Sequence, residues 1–289
     1  MKNEGFRRIL LATDGSAQSE NAALVAASFA HSSGASVRVA HVWNLEVHHR
    51  HGVWDVETRR EAEELITNTV KRLRALGAEA DGAISRSDNA HVASAIAEAA
   101  AHFGADLIVL GSRGLSNWQS LVQHSVSHRV LSTVDCPVLV VSGQTRPAAV
   151  GGRRVLLAIA GGDDVVPATR AAIAAASEPG SKVLVLHVPV DVFGVQGFAY
   201  VERDEDIRWT LDSALQMLKE AGISAESMAP HAESVARAVA DVAAGWDADV
   251  IVIESARMGD IGSMLFASVT HDLLHISKTP VLVAQRVKA

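Results

Sequence analysis

The feature that most constrains this sequence is an internal repeat whose unit has the length of a whole domain. Arg7–Val42 aligns without a gap with Arg153–Val188, at an offset of 146 residues. Later matches, at an offset of 143 residues, pair Ala105–Leu110 with Ala248–Ile253 and Pro137–Val140 with Pro280–Val283. A unit this long is far beyond the repeat of a solenoid, so each copy is expected to fold around its own core.

The boundary between the copies falls in Ser142–Gly152, a short segment rich in small residues, Gly and Pro. The chain of 289 residues is long enough for two domains of ordinary size. We therefore predict a domain 1 over residues 1–143 and a domain 2 over residues 152–289.

Short apolar runs alternate with segments of helical spacing along domain 1. The runs are typical of strands buried on both faces and are Ile9–Thr13, Val37–Val42, Ala80–Ile84, Leu107–Leu110 and Val138–Val141. The helical segments between them are about Ala17–Ser33, Val56–Leu76, Ala90–Phe103 and Ser125–Thr133. Such alternation implies right-handed crossovers and a mainly parallel sheet. We predict an α/β fold of two tandem doubly wound (Rossmann-like) domains, each with five strands and about four helices.

In an open α/β sheet, a ligand lies at the carboxyl ends of the strands, where the strand order reverses. Three segments are expected to meet there: Thr13–Gly15, His41–Val42 and the loop Gly111–Ser125. The loop follows a strand and precedes a helix, whose N-terminus offers unpaired N–H groups and a partial positive charge. The sequence therefore predicts an anion site at this edge of the sheet.

Glycines in this loop favour close approach of the backbone to a ligand. We expect Gly111 and Gly114 to take positive φ values, and Ser125 to cap the helix or to bind a phosphate. The alternative is that Gly111–Gly114 is a simple turn. The loop lacks the GxxxxGK[ST] pattern, which excludes a Walker-type NTPase.

The loop resembles the nucleotide loop of the universal stress protein family, which reads Gly, two residues, Gly, nine residues, Gly, and then Ser or Thr. Gly111, Gly114 and Ser125 stand at that spacing, and the flanking LLATDGS, AHV and SVSHRVLSTVDCPVLVV are also similar to the family. The resemblance covers essentially the whole chain, twice. It implies that domain 1 binds ATP, with or without Mg²⁺, through a set of residues that comprises Ala12, Thr13, Asp14, Val42, Gly111, Arg113, Gly114, His124, Ser125, Val126 and Ser127.

One residue departs from the family pattern, because His124 replaces the third glycine. Its side chain would either crowd the phosphates or donate a hydrogen bond to them. Asp14 has a second reading, as a turn residue ahead of a helix that begins near Ser16. Arg113 is equally interpretable as a solvated surface residue.

Domain 2 has lost most of this pattern. Ala160 aligns with Asp14, and Glu254, Arg257 and Ala267 align with Gly111, Gly114 and His124. Only Ser268 matches its counterpart, Ser125. A carboxylate at position 254 would repel phosphates, so domain 2 is predicted not to bind ATP.

The resemblance also implies an association through the last strands, Val138–Val141 and Val281–Ala284. In a tandem chain these strands could pair with each other, and a homodimer of the whole chain is a further arrangement.

Composition excludes several partners and favours a cytoplasmic protein. The net charge is −7 and no stretch is densely basic, which argues against nucleic acid and against an anionic membrane surface. Cys136 is the one cysteine, as expected in a reducing cytoplasm, and it is interpreted as structural. No window reaches the roughly 18 consecutive apolar residues of a membrane span.

We therefore expect a cytoplasmic stress-response protein that binds ATP in domain 1 and acts by signalling or protein interaction. The alternative is a nucleotide-independent scaffold. In either case we expect no enzyme, with at most weak incidental ATP hydrolysis.

His48, His49 and His51 are interpreted as a solvated loop rather than a metal site. The aromatic loop Val190–Tyr200 is either a binding surface or a cover over the second crevice. His41 and His187, at equivalent strand ends, are expected to share a packing or hydrogen-bonding role.

Overall fold

The computed structural model describes residues 5–48, 52–55, 57–88, 91–112, 126–143, 145, 153–160, 165–189, 192–193, 199–200, 202–254 and 261–285. The chain divides into two compact units, of which Phe6–Gly151 is one and Gly152–Ala289 forms the body of the other. The exact limits that we propose for domains 1 and 2 lie close to this division, and each domain is described by itself.

Domain 1 alternates strands with helices in the predicted order. Its elements are β1 (Arg8–Ala12), α1 (Ala17–Ser33), β2 (Ser36–His48), β3 (Gly52–Asp55), α2 (Arg59–Ala75), β4 (Glu79–Asp88), α3 (Val92–Phe103), β5 (Leu107–Ser112), α4 (Val126–Thr133) and β6 (Val138–Ser142). Strands β6, β5, β1, β2 and β4 lie side by side in that order, all parallel. β1 thus lies between β2 and β5, which makes the ends of these three strands the point where the strand order reverses.

One strand of domain 1 was not predicted. β2 continues beyond Val42 to His48, and its last residues pair antiparallel with β3, from Leu45 opposite Asp55 to His48 opposite Gly52. The prediction that His48 lies in a loop is therefore wrong, because its backbone belongs to this hairpin. His49 and His51 lie outside the described residues.

The helices of domain 1 begin and end at residues suited to those positions. Ser16 is the N-cap of α1 and accepts a hydrogen bond from the N–H of Ser19, while Gly34 ends the helix with a left-handed φ of 72°. Thr58 and Glu61 form a capping box at the start of α2. α1 packs against α2, and α3 packs against α4, around a core that includes Ile9, Leu10, Leu11, Leu107 and Ile108, none of which is exposed.

Domain 2 contains the five predicted parallel strands and a short hairpin. Its elements are β7 (Arg154–Ile159), α5 (Val166–Ala175), β8 (Lys182–His187), β9 (Val192–Phe193), β10 (Ala199–Tyr200), α6 (Asp204–Glu220), β11 (Ser224–Met228), α7 (Val235–Gly245), β12 (Val250–Glu254), α8 (Ile261–Ile276) and β13 (Val281–Ala284). The strand order is β11, β8, β7, β12, β13. β9 and β10 pair antiparallel within the aromatic loop. The role of that loop stays a prediction.

Two further expectations concern surfaces. β6 pairs with β5 and β13 pairs with β12, as the last strands of their sheets, and the expected pairing of these last strands with each other stays a prediction. Among the helices of the described ranges, none is long and apolar enough to cross a membrane.

Candidate functional site

The register of domain 1 brings four of the predicted site residues to one edge of the sheet. Ala12 is paired with Ala40 of β2 and with Leu110 of β5. One residue further along each strand, Thr13 therefore lies between His41 and Gly111. Asp14 and Val42 follow directly, at the same carboxyl edge, as the sequence predicted for these segments.

The backbone N–H and carbonyl of Val42 point to the side of β2 on which β1 lies. The N–H of Thr13 donates to the carbonyl of Ala40 at 3.0 Å, so the backbone polar groups of Ala40 point towards β1. Alternate residues of a strand direct their backbone groups to the same neighbour, so those of Val42 also point that way. β1 ends at Ala12, which leaves Val42 facing the space beyond its end.

All the polar groups of Thr13 form hydrogen bonds at this edge. Its side chain is buried and donates to the Ser19 hydroxyl at 3.0 Å, while it accepts from the N–H of Gly15 at 3.2 Å. Its carbonyl accepts from His41 Nδ1 at 2.8 Å. These bonds give Thr13 a structural role, since they connect the end of β1 to both α1 and β2.

Asp14 is exposed and forms the turn that precedes α1. Its Oδ1 accepts from the N–H of Ser16 at 3.0 Å and from the Ser16 hydroxyl at 2.5 Å. The turn role that the sequence suggested is therefore present. It places a carboxylate at the carboxyl edge of the sheet, beside the backbone of Thr13.

Gly111 is required for packing, and the expectation that it takes a positive φ is wrong. A Cβ at this position would lie 2.7 Å from the backbone carbon of Gln18 and 2.8 Å from the nitrogen of Ser19. Its φ lies outside the left-handed region, where Gly15 is found at 74°. Glycine at position 111 thus lets β5 approach the first turn of α1, and this requirement exists without any ligand.

Near this edge, the buried side chain of His41 pairs with Glu57. The sequence predicted a role for the histidine but not for the glutamate. The Nε2 of His41 contacts Oε1 of Glu57, the residue immediately before the N-cap of α2. Because the carbonyl of Thr13 can only accept, Nδ1 of His41 must carry a proton and donate it. The remaining nitrogen, Nε2, lies against the Glu57 carboxyl group. The His41 ring joins the end of β1 to the entrance of α2.

Domain 2 contains the same arrangement. His187 Nδ1 lies 3.0 Å from the carbonyl oxygen of Ile159, and its Nε2 lies 2.8 Å from Oε2 of Glu202. Glu202 also precedes the N-cap of its helix, Arg203. The predicted hydrogen-bonding role of His41 and His187 is confirmed. The predicted helix start near Val56 hid Glu57, which in the structure lies just before the N-cap Thr58.

The remaining predicted site residues belong to the loop and to α4. Val126 and Ser127 lie in the first described turn of α4, where Val126 is exposed. Ala12 lies in β1 and is buried. Four further residues lie outside the described part of the chain and stay predictions: Arg113, Gly114, His124 and Ser125.

The equivalent edge of domain 2 has different side chains, and its serine lies within a helix. Ala160 follows β7 where Asp14 follows β1, and Glu254 ends β12 at the position of Gly111. Ser268 is the eighth residue of α8. A backbone N–H that deep in a helix donates to the carbonyl four residues earlier, so the N–H of Ser268 is not available to a phosphate.

A cavity of about 220 Å³ lies between α1 and α2, beside the end of β1. Thr13 and Gly15 line it, together with Leu65, Asn68 and Arg72 of α2. It is smaller than the roughly 300–1,000 Å³ of ordinary ligand pockets. By itself it is therefore not a complete nucleotide site.

The other candidate chemistries are a metal site and a reactive cysteine. Within the described residues, no group of three or more His, Cys, Asp or Glu side chains could hold a metal ion. Burial raises the pKa of the Cys136 thiol to about 11, which supports its interpretation as a structural residue, since the thiolate is the nucleophile.

The geometry defines two doubly wound α/β domains, each with its own parallel sheet. The sequence pattern of the universal stress protein family matches residues 5–142 and again residues 152–285. The chain therefore belongs to the universal stress protein family and is a tandem two-domain member of it.

Curated relatives and solved structures are similar to this chain to different extents. A Thermus aquaticus universal stress protein, described by its place in the QAH/OAS sulfhydrylase 3' region, is 36% identical over 142 residues, which are 47% of this chain and 98% of the relative. The crystal structure of a universal stress protein from Archaeoglobus fulgidus DSM 4304 has the same fold over both domains, with a TM-score of 0.72, 20% identity and coverage of 99% of this chain and 100% of that one. A universal stress protein solved in complex with cAMP matches 48% of this chain and 98% of its own, at 23% identity and a TM-score of 0.40.

Proposed function

We propose that domain 1 binds ATP together with Mg²⁺ and that the protein acts in the stress response by signalling or protein interaction. The observation that supports this most is the meeting of Thr13, Asp14, Val42 and Gly111 at one edge, where the strand order reverses. This is the edge at which open α/β sheets bind ligands. The cytoplasmic location expected from composition belongs to the same proposal.

Each described residue has a separate part in the proposed site. The backbone N–H and carbonyl of Val42 would pair with the edge of the adenine. The Asp14 carboxylate would accept from the ribose or contact Mg²⁺, which prefers carboxylate oxygens. The loop from Gly111 to Ser127 would surround the phosphates, with the N-terminal end of α4 favouring their negative charge.

Domain 2 is proposed to have no nucleotide site of this kind. Glu254 places a carboxylate at the end of β12, where a phosphate would have to approach. In addition, Ser268 lies within α8 rather than before its first turn, so its N–H is used by the helix. We propose a structural or regulatory role for this domain.

Calorimetric titration of the full chain with ATP and Mg²⁺ tests the proposal. Asp14→Asn keeps an oxygen for the Ser16 bonds but removes the charge, and it should weaken ATP affinity about tenfold or more. Gly114→Glu should abolish binding. Its matched control is Arg257→Glu, at the aligned position of domain 2, which should leave affinity unchanged.

A second candidate function is a scaffold that needs no nucleotide. It is favoured by the observation that Gly111 and Asp14 both have structural roles that require no ligand. Binding that is absent in the wild type and gained in His124→Gly would show that His124 closes the site, and would favour the scaffold. Binding in the wild type that Gly114→Glu removes would exclude it.

A further inference from the structure

Two histidines on α8 of domain 2 lie side by side, far in sequence from the edge already described. His271 and His275 are four residues apart, so they project from the same face of the helix. Their Nε2 atoms are 3.1 Å apart, and their ring centroids are 4.3 Å apart. Both side chains are partly buried, and that of His271 is 28% exposed, which leaves it accessible to water and to small ions.

The separation of the two nitrogens matches that of two ligands of one metal ion. Imidazole nitrogens bind divalent transition metals at about 2.0–2.1 Å. Two nitrogens 3.1 Å apart at that bond length subtend an angle of about 98° at the ion. This value lies between the angles of octahedral and tetrahedral coordination. The His χ2 torsion is broad, so both rings can turn their lone pairs towards a common ion.

A neighbouring carboxylate faces the other ring nitrogen of His271 and favours the tautomer that a metal ligand requires. Asp272 Oδ1 lies 3.4 Å from Nδ1 of His271. A proton held on Nδ1 by this carboxylate leaves the lone pair on Nε2, which then faces His275. Carboxylates commonly hold metal-ligating histidines in this way, and they also raise the basicity of the ligand.

We propose that His271 and His275 form a binding site for one divalent transition metal ion, with water completing the coordination. Imidazole ligands suit Zn²⁺, Ni²⁺ and Cu²⁺, whereas Mg²⁺ prefers oxygen ligands. The ion replaces the proton that the two Nε2 atoms share. The site is independent of the nucleotide site proposed for domain 1, and it takes an ion of a different class.

Domain 1 supplies a natural control for this site. His128 aligns with His271, but Ser132 stands where domain 2 has His275. His128 and Ser132 are both exposed on α4. The two domains therefore present the same helix with one and with two histidines on this face.

The test is titration of the full chain with Zn²⁺ and with Ni²⁺, followed by calorimetry and by the shift in melting temperature. His48, His49 and His51 are replaced by alanine throughout, so that they do not contribute. We expect one ion per chain, and no heat with Mg²⁺. His271→Gln and His275→Gln, which keep a polar side chain of similar size, should each weaken binding at least tenfold. Asp272→Asn should weaken it about tenfold.

A second variant tests the geometry by gain of function. The double variant Arg129→Asp/Ser132→His in domain 1, which also supplies the counterpart of Asp272, should raise the number of bound ions from one to two per chain. The proposal is overturned if the parent variant binds neither Zn²⁺ nor Ni²⁺, or if His275→Gln binds them as tightly as the parent. A stoichiometry that stays at one in the double variant would overturn the argument from helical spacing.

Discussion

Replacing His187 by alanine should destabilise domain 2 more than the matched replacement of His41 destabilises domain 1. In domain 1 the ring donates to the carbonyl of Thr13, directly after β1, and in domain 2 to the carbonyl of Ile159, the last residue of β7. Both rings also contact a glutamate. The two glutamates differ in burial, since the side chain of Glu202 is 10% exposed and that of Glu57 is 28% exposed.

This difference in exposure sets the expected magnitudes. Without its histidine, Glu202 stays buried with no charged partner, and removing one member of a buried pair costs about 3–5 kcal/mol. Glu57 can be hydrated once His41 is removed, so the loss there is closer to the about 1–3 kcal/mol of an unsatisfied polar group. Glu202→Gln keeps a polar atom opposite Nε2 and should cost less than His187→Ala.

Native-state hydrogen exchange, followed by mass spectrometry, measures both domains in one full chain. Peptides that cover β8 should lose more protection in His187→Ala than peptides that cover β2 lose in His41→Ala. Equal losses, or a larger loss in domain 1, would refute the reasoning that the burial of the glutamate determines the cost.

Three smaller predictions concern other positions. Gly111→Ala should lower the free energy of unfolding by about 1–3 kcal/mol, because its Cβ would lie 2.7 Å from the backbone of Gln18; an unchanged melting temperature would contradict this. Hydrogen bonds from Arg38 lower the pKa of Asp81, so the pair stabilises the fold above the unfolded pKa of about 3.9 and loses this effect as the pH falls through the folded value. Asp81→Asn should therefore lower the free energy of unfolding by about 0.2–1 kcal/mol at pH 7, measured by urea unfolding. This difference between variant and wild type should shrink as the pH approaches 3, and a constant difference would argue against the ion pair. With its pKa raised to about 11, Cys136 should react with iodoacetamide at pH 8 about two hundredfold more slowly than an ordinary thiol, and equal rates in folded and urea-unfolded chain would exclude this.

The sequence predicted the parallel strands because their signal is local. A run such as Ile9–Thr13 is apolar throughout, which is typical of a strand covered on both faces. β3 was missed because its existence depends on pairing with the end of β2, from which it is separated by the histidine-rich residues 49–51. Polar composition there indicated a loop, although the alternation of Trp43, Leu45 and Val47 is that of a strand.

For the candidate site, the sequence predicted which segments meet and could not predict why each residue is there. A glycine at position 111 is expected equally for a ligand and for a packed helix, since both require close approach of another backbone. Only the position of Gln18 identifies the helix as the cause. The partner of His41 was missed because the separation from histidine to glutamate is 16 residues in domain 1 and 15 in domain 2, so the ungapped repeat does not align the two glutamates.

The start of α8 has a consequence for how domain 2 can change. The segment Ile261–Ser268 is helical in the place where the family's nucleotide loop would end. Placing glycine at positions 254 and 257 would remove two side chains and their opposite charges, but the backbone N–H groups of α8 would remain inside the helix. Recovery of a phosphate site would also require about two turns to unwind, at the expense of their hydrogen bonds. If domain 2 has no nucleotide site, as proposed above, single substitutions would therefore not be enough to create one.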